Sequence, residues 1–128
     1  MKYSLFVFVI LMVIACDDVP EPRLLGKWQL KTVEKNGAVT TVDTVWYNFQ
    51  SASIFSLQVY ITQSNSYQEY IGMRTQVENV ISILIENTNI VDWTDWRSGN
   101  RSFTIDKANK RSLLLRSEEG YLYSFIKF

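Results

Sequence analysis

Apolar and polar residues alternate with a period of two through most of the chain after residue 24. In the clearest stretch, 55–62, Phe55, Leu57, Val59 and Ile61 alternate with polar or tyrosine side chains. A period of two places neighbouring side chains on opposite faces of a β-strand. The β-branched and aromatic content of the other stretches also favours strand over helix. The predicted strands run from residue 24 to a turn at 35–37, and over 39–50, 55–62, 67–74, 78–86, 101–106, 111–117 and 121–127.

Short turns separate these strands. Asn36-Gly37 is typical of a tight hairpin turn because both residues readily adopt positive φ angles. The segment 87–100 has no clear period, so we expect a longer loop there, with at most one helical turn. About eight strands with short connections predict an all-β fold, an eight-stranded antiparallel barrel whose last strand pairs with its first. A β-sandwich is the alternative, since periodicity does not separate the two.

The amino-terminal segment predicts export. Lys2 is followed by an apolar run from Leu5 to Ile14 that is too short to span a membrane, as in a secretory signal peptide. Its last residues, Val13-Ile14-Ala15-Cys16, resemble the lipobox of bacterial lipoproteins. The resemblance implies cleavage before Cys16 and lipid attachment to its thiol. The predicted organisation is a signal peptide over 1–15, a lipidated tether over 16–23 and one domain over 24–128.

The resemblance also implies a location in the bacterial cell envelope, with the membrane as a partner. We expect the outer membrane rather than the inner one. Asp17 and Asp18 follow the cysteine and are interpreted as part of a solvated linker, rich in acids and prolines. Acids at this place can also act as a sorting signal, either for inner-membrane retention or for surface export, and the sequence does not choose between them.

Composition narrows the classes of function. The chain carries 13 Lys+Arg and 13 Asp+Glu, and such a balanced charge argues against nucleic acid as a partner. It has one cysteine and no histidine, and the lack of histidine excludes histidine-based metal sites and Ser-His-Asp triads. Asp92 and Asp95 form a conceivable glycosidase pair, but we interpret them as solvated loop residues. We therefore predict a protein that is not an enzyme and needs no metal or cofactor.

The start of the domain, Gly26-Lys27-Trp28, resembles the Gly-x-Trp opening of lipocalins and of the small lipocalin-like lipoproteins of Bacteroidetes. The resemblance to the second group extends over most of the chain after the tether. It implies that Trp28 closes one end of the barrel and that Gly26 lets the chain bend into the first strand. It also implies a late basic residue stacked on the tryptophan, for which Arg116 and Lys127 are the candidates.

Aromatic and aliphatic residues on the inward faces are the candidate ligand contacts. The leading hypothesis is that they line a pocket for a small apolar or amphiphilic molecule. The alternative is a filled barrel that presents its surface to a protein partner. We expect Trp28 to contribute far more to stability than Trp93 and Trp96, the two tryptophans of the 87–100 loop. The predicted ligand-binding residues are Tyr47, Phe49, Phe55, Leu57, Trp93, Trp96, Tyr123 and Phe125.

Overall fold

The structure is a computed structural model, and it describes residues 24–87 and 89–128. Nine strands and one short helix, joined by turns and loops, are assigned within these residues. The predicted signal peptide, Cys16 and the tether lie outside the described residues. The elements are β1 (Gly26–Lys35), β2 (Ala38–Thr41), β3 (Val45–Phe49), β4 (Ile54–Ile61), β5 (Ser66–Val77), β6 (Val80–Leu84), α1 (Ile90–Trp93), β7 (Asn100–Ala108), β8 (Ser112–Ser117) and β9 (Leu122–Lys127).

The sheet closes on itself. Strands β3 to β9 follow one another in sequence order, β3 lies beside β1, and β9 returns to the other edge of β1. The closing pair is antiparallel and runs from Trp28 opposite Lys127 to Glu34 opposite Leu122. All neighbours in this ring of eight strands are antiparallel. The prediction of an eight-stranded antiparallel barrel is therefore confirmed, and the sandwich alternative is wrong because the sheet is closed.

The strand predicted over 39–50 is divided into two. β3 pairs with the first part of β1, while β2 pairs with its last part, with Thr41 opposite Thr32 and Ala38 opposite Lys35. Between β2 and β3, the carbonyl of Asp43 accepts a hydrogen bond from the Gln29 side chain at 3.0 Å. β2 is exposed throughout and extends the hairpin that turns at Asn36-Gly37, where both residues have positive φ.

A β-bulge changes which residues of β1 face inward. Leu30 lies opposite Phe125 and Thr32 opposite Ser124, so Lys31 is an extra residue in β1. An extra residue shifts the alternation that follows it by one position. Strict alternation from Leu30 would place Thr32 on the inward face, but the bulge puts Val33 in the core instead.

Aromatic side chains fill the middle of the barrel. The ring of Tyr47 lies 4.8 Å from that of Phe125, 5.5 Å from Phe55 and 6.0 Å from Phe103, measured between centroids. All four side chains are buried. These tilted and edge-on contacts add to the stabilisation that burial of the rings provides. An eight-stranded barrel has room for little beyond such side chains, so little space for a ligand remains around these four rings.

Candidate functional site

One end of the barrel is covered by Trp28. Its ring is fully buried, and its Nε1 donates a hydrogen bond to the carbonyl of Leu24 at 2.9 Å. The Nζ of Lys127 lies 4.5 Å from the centroid of the ring. At Gly26, φ is +120°, and a Cβ there would stand 2.3 Å from that same Nζ. Arg116, the other basic candidate, forms an ion pair with Asp106 at 2.7 Å instead.

Trp96 enters the barrel from the loop between β6 and β7. It is 2% exposed, its Nε1 donates to the hydroxyl of Tyr47 at 2.9 Å, and its ring stacks on Phe55 with a centroid distance of 6.3 Å. The Oγ1 of Thr94 holds the loop by donating to the carbonyl of Ile90 and accepting from the amide of Trp96. The expectation that Trp96 contributes little to stability does not fit this position in the core.

Beside Trp96, three strands bring polar side chains to the carboxylate of Asp95. Tyr123 of β9 donates to Oδ2 at 2.5 Å, and Arg101 of β7 donates to Oδ1 at 3.1 Å. The Nζ of Lys35, at the end of β1, lies 3.4 Å from Oδ2. Arg101 also donates to the hydroxyl of Tyr123. We call these four residues the Asp95 cluster.

Burial and pairing act in opposite directions on Asp95. Burial raises its pKa, but the hydrogen bond from Tyr123 and the charges of Arg101 and Lys35 outweigh that effect and lower the pKa below its ordinary value. Burial, together with the hydrogen bond to Asp95, raises the pKa of Tyr123. At neutral pH the cluster therefore holds a carboxylate, two cations and a neutral phenol. Its net charge is positive.

Arg101 is the most deeply placed charge of the cluster. It is 7% exposed, and its guanidinium lies 4.8 Å from the ring centroids of both Phe103 and Tyr123. Trp96 contributes a third ring at 5.5 Å. Aromatic faces attract a cation that has little contact with water. The guanidinium is therefore fixed in place by the barrel, and its donors reach Asp95 and Tyr123.

A cavity of about 310 Å³ opens at the end of the barrel opposite Trp28. The β1–β2 hairpin, the segment 42–44 and the loop after α1 surround it. The inner part of the lining is apolar, and threonines and charged groups form much of the rim. The lining residues are Leu30, Val33, Lys35, Thr40, Val42, Thr44, Val45, Tyr47, Trp93, Thr94 and Asp95.

The structure brings two of the eight predicted ligand-binding residues, Tyr47 and Trp93, to this cavity. The other six are buried in the packed interior or against the Asp95 cluster: Phe49, Phe55, Leu57, Trp96, Tyr123 and Phe125. Sequence reasoning missed Lys35, and it placed Asp95 in solvent. No local pattern marks these two residues, because Lys35 belongs to β1, far in sequence from the loop, and Tyr123 lies 28 residues from Asp95.

Two features are absent from the described residues, 24–87 and 89–128. No group of three or more acids or cysteines is placed to hold a metal ion. No helix in the same residues has the length and apolar character needed to cross a membrane.

A closed eight-stranded antiparallel barrel with a cavity at one end defines the class of up-and-down β-barrel proteins. Within that class, the chain belongs to the lipocalin-like domain family, whose model matches residues 10–128. It is similar to a lipocalin-like protein from Bacteroides uniformis, with a TM-score of 0.74 and 28% identity over 83% of this chain and 99% of that one. An uncharacterised protein from Bacteroides eggerthii gives a TM-score of 0.68 and 25% identity over 81% and 98%. No curated protein matches the sequence.

Proposed function

We propose that this protein binds one small amphiphilic molecule in the cavity at the barrel mouth. The observation that carries the proposal is the cavity itself, whose volume of about 310 Å³ is at the lower limit of ordinary ligand pockets. Its apolar inner lining suits a hydrocarbon segment, and its rim offers charged and hydroxyl groups to a polar end. The aromatic packing beneath Tyr47 keeps a ligand near the mouth, so the ligand is short.

The size of the cavity limits how much affinity hydrocarbon burial supplies. Each buried methylene contributes about 0.8 kcal/mol, so roughly five of them contribute about 4 kcal/mol. That value corresponds to a dissociation constant of about 1 mM before the costs of association. Tighter binding therefore requires contacts between the rim and the polar end of the ligand.

Titration calorimetry with octanol, octanoate and octylamine tests the proposal. We expect at least one of the three to bind the full chain, held in phosphatidylcholine nanodiscs, with one ligand per protein. Val42→Trp places a large side chain in the cavity and should weaken that binding more than tenfold. Val80→Trp adds the same ring at an exposed position of β6 and serves as the control. Binding that survives Val42→Trp, or no binding by any of the three, would refute the proposal.

We further propose that the protein is a lipoprotein anchored through Cys16 in the cell envelope, with the outer membrane as its site. The lipobox resemblance of Val13-Ile14-Ala15-Cys16 supports this proposal, and the Bacteroides origin of the similar structures fits it. A tether over 16–23 would keep the barrel close to a source of amphiphilic molecules.

A protein partner is the second candidate, and an exposed apolar surface favours it. Ile71 and Met73 project outward from β5, and Leu84 of β6 lies opposite Met73. Exposed groups of this kind often mark interaction sites. Crosslinking in the native host should capture a partner that Met73→Glu loses and that Gln68→Glu, at another exposed position of β5, retains.

A further inference from the structure

The Asp95 cluster is built from parts of two kinds. Its donors, Lys35, Arg101 and Tyr123, belong to strands of the closed barrel, which fixes their relative positions. Its acceptor, Asp95, belongs to the loop between β6 and β7. The three donors converge on one carboxylate, and that carboxylate lines the cavity at the barrel mouth.

We propose that Lys35, Arg101 and Tyr123 form a carboxylate-binding site, that Asp95 occupies it as an internal ligand, and that a monoanionic amphiphile binds by replacing Asp95. This inference rests on the proposed function, because the hydrocarbon part of the amphiphile would lie in the same cavity.

The geometry favours a carboxylate over other polar ends. The site presents two cations and one phenolic O–H, and charge-assisted hydrogen bonds of this kind are the stronger ones. An alcohol gains little from two cations that are already paired with Asp95. A cationic ligand would approach Asp95 but would be repelled by Lys35 and Arg101.

The exchange of one carboxylate for another makes the replacement possible. Arg101 is too buried to lose its anionic partner without a large penalty. A ligand carboxylate on the same donors keeps Arg101 paired. Asp95 is 30% exposed at its side chain and lies on a loop, so it can move into water. The hydrocarbon burial then supplies the net driving force.

Asp95→Asn is the decisive variant because it removes the internal carboxylate with little change in size. We expect octanoate to bind this variant at least tenfold more tightly than the wild type, again in nanodiscs with empty nanodiscs subtracted. The affinity for octanol should change less than threefold, and that for octylamine should fall. Asp106→Asn is the matched control, since it also breaks an Asp–Arg pair but on the outer face of β7 and β8, and it should change none of the three.

A second variant keeps the test decisive if Asp95→Asn does not fold. Lys35 is 42% exposed at its side chain, so Lys35→Gln should not disturb the core. It removes one donor and should weaken octanoate binding about fivefold to tenfold, with octanol unaffected. Lys107→Gln, an exposed position on β7, should leave octanoate binding as it is.

Hydrogen exchange tests the replacement itself. If octanoate displaces Asp95, amides of residues 90–99 should exchange faster in its presence, because the loop loses one of its attachments to the barrel while Trp96 stays in the core. Octanol should not have this effect. Slower or unchanged exchange with octanoate would overturn the replacement.

The outcomes separate the two proposals. If no octyl compound binds, or if Val42→Trp has no effect, the proposed function fails. Suppose that all three compounds bind in the cavity, and that Asp95→Asn or Lys35→Gln changes the three affinities by the same factor. In that case only the carboxylate site is refuted. Tighter binding of octylamine than of octanoate to the wild type would also refute it.

Discussion

Trp96 should be as important for stability as any residue of the strands, although it lies on a loop. In Trp96→Ala, the rings of Tyr47, Phe55 and Phe103 lose a neighbour within 6.3 Å, and a cavity forms in the middle of the barrel. Truncating a buried tryptophan costs about 3–5 kcal/mol. The variant also removes the hydrogen-bond donor that the hydroxyl of Tyr47 accepts at 2.9 Å. A domain of this size is stable by about 5–15 kcal/mol, so at least about a fifth of that stability would be lost.

Urea unfolding of the full chain would measure this loss, and Trp93→Ala is the matched control. Trp93 lies three residues away on the same loop but is 41% exposed, so its truncation should cost less than about 1 kcal/mol. The two variants remove the same atoms and differ in burial. A loss below about 1 kcal/mol for Trp96→Ala, or equal losses for the two variants, would show that Trp96 is not packed in the core of the barrel.

Three further predictions follow from the fold and the proposed anchor. Trp28→Ala should lower the free energy of unfolding by about 3–5 kcal/mol in the same assay; a loss near zero would contradict the covered end of the barrel. The partners of Asp95 lower its pKa in the folded state despite burial. Below about pH 4 the Asp95 carboxylate of the unfolded chain takes up a proton more readily than that of the folded protein, so the wild type should lose stability as the pH falls. Asp95→Asn should remove this part of the acid dependence in pH-dependent unfolding, and an unchanged profile would assign that dependence to other carboxyl groups. Cys16→Ser should release the protein from the membrane fraction, and a variant that stays wholly with the membranes would count against lipid anchoring.

Local alternation was enough to predict most of the barrel. Phe55, Leu57, Val59 and Ile61 of β4 are all buried, as their period of two predicted. Two features had no local signal. The bulge at Lys31 is a property of the pairing between β1 and β9, and Trp96 occupies the space that the aromatic strand residues leave.

The candidate site was less accessible to sequence reasoning than the fold. No motif predicts a role for Lys35. Asp95 lies in a polar loop and looks like an ordinary solvent-exposed acid unless the positions of Arg101 and Tyr123 beside it are known. The residues of this cluster lie on β1, β7, β9 and a loop. Only the register of the closed barrel brings them together. Aromatic residues, by contrast, were easy to assign to the interior but not to separate into packed and cavity-lining groups.

The pairing of β9 with β1 also sets how the chain folds. The contact of Lys127 with the carbonyl of Leu25 joins residues 102 positions apart. Such long-range pairing must overcome a large loop-closure entropy, so we expect folding in milliseconds to seconds rather than microseconds. Until β9 is in place, β1 and β8 each have an open edge that can pair with another chain. The last closing step therefore protects the protein from aggregation as well as completing the barrel.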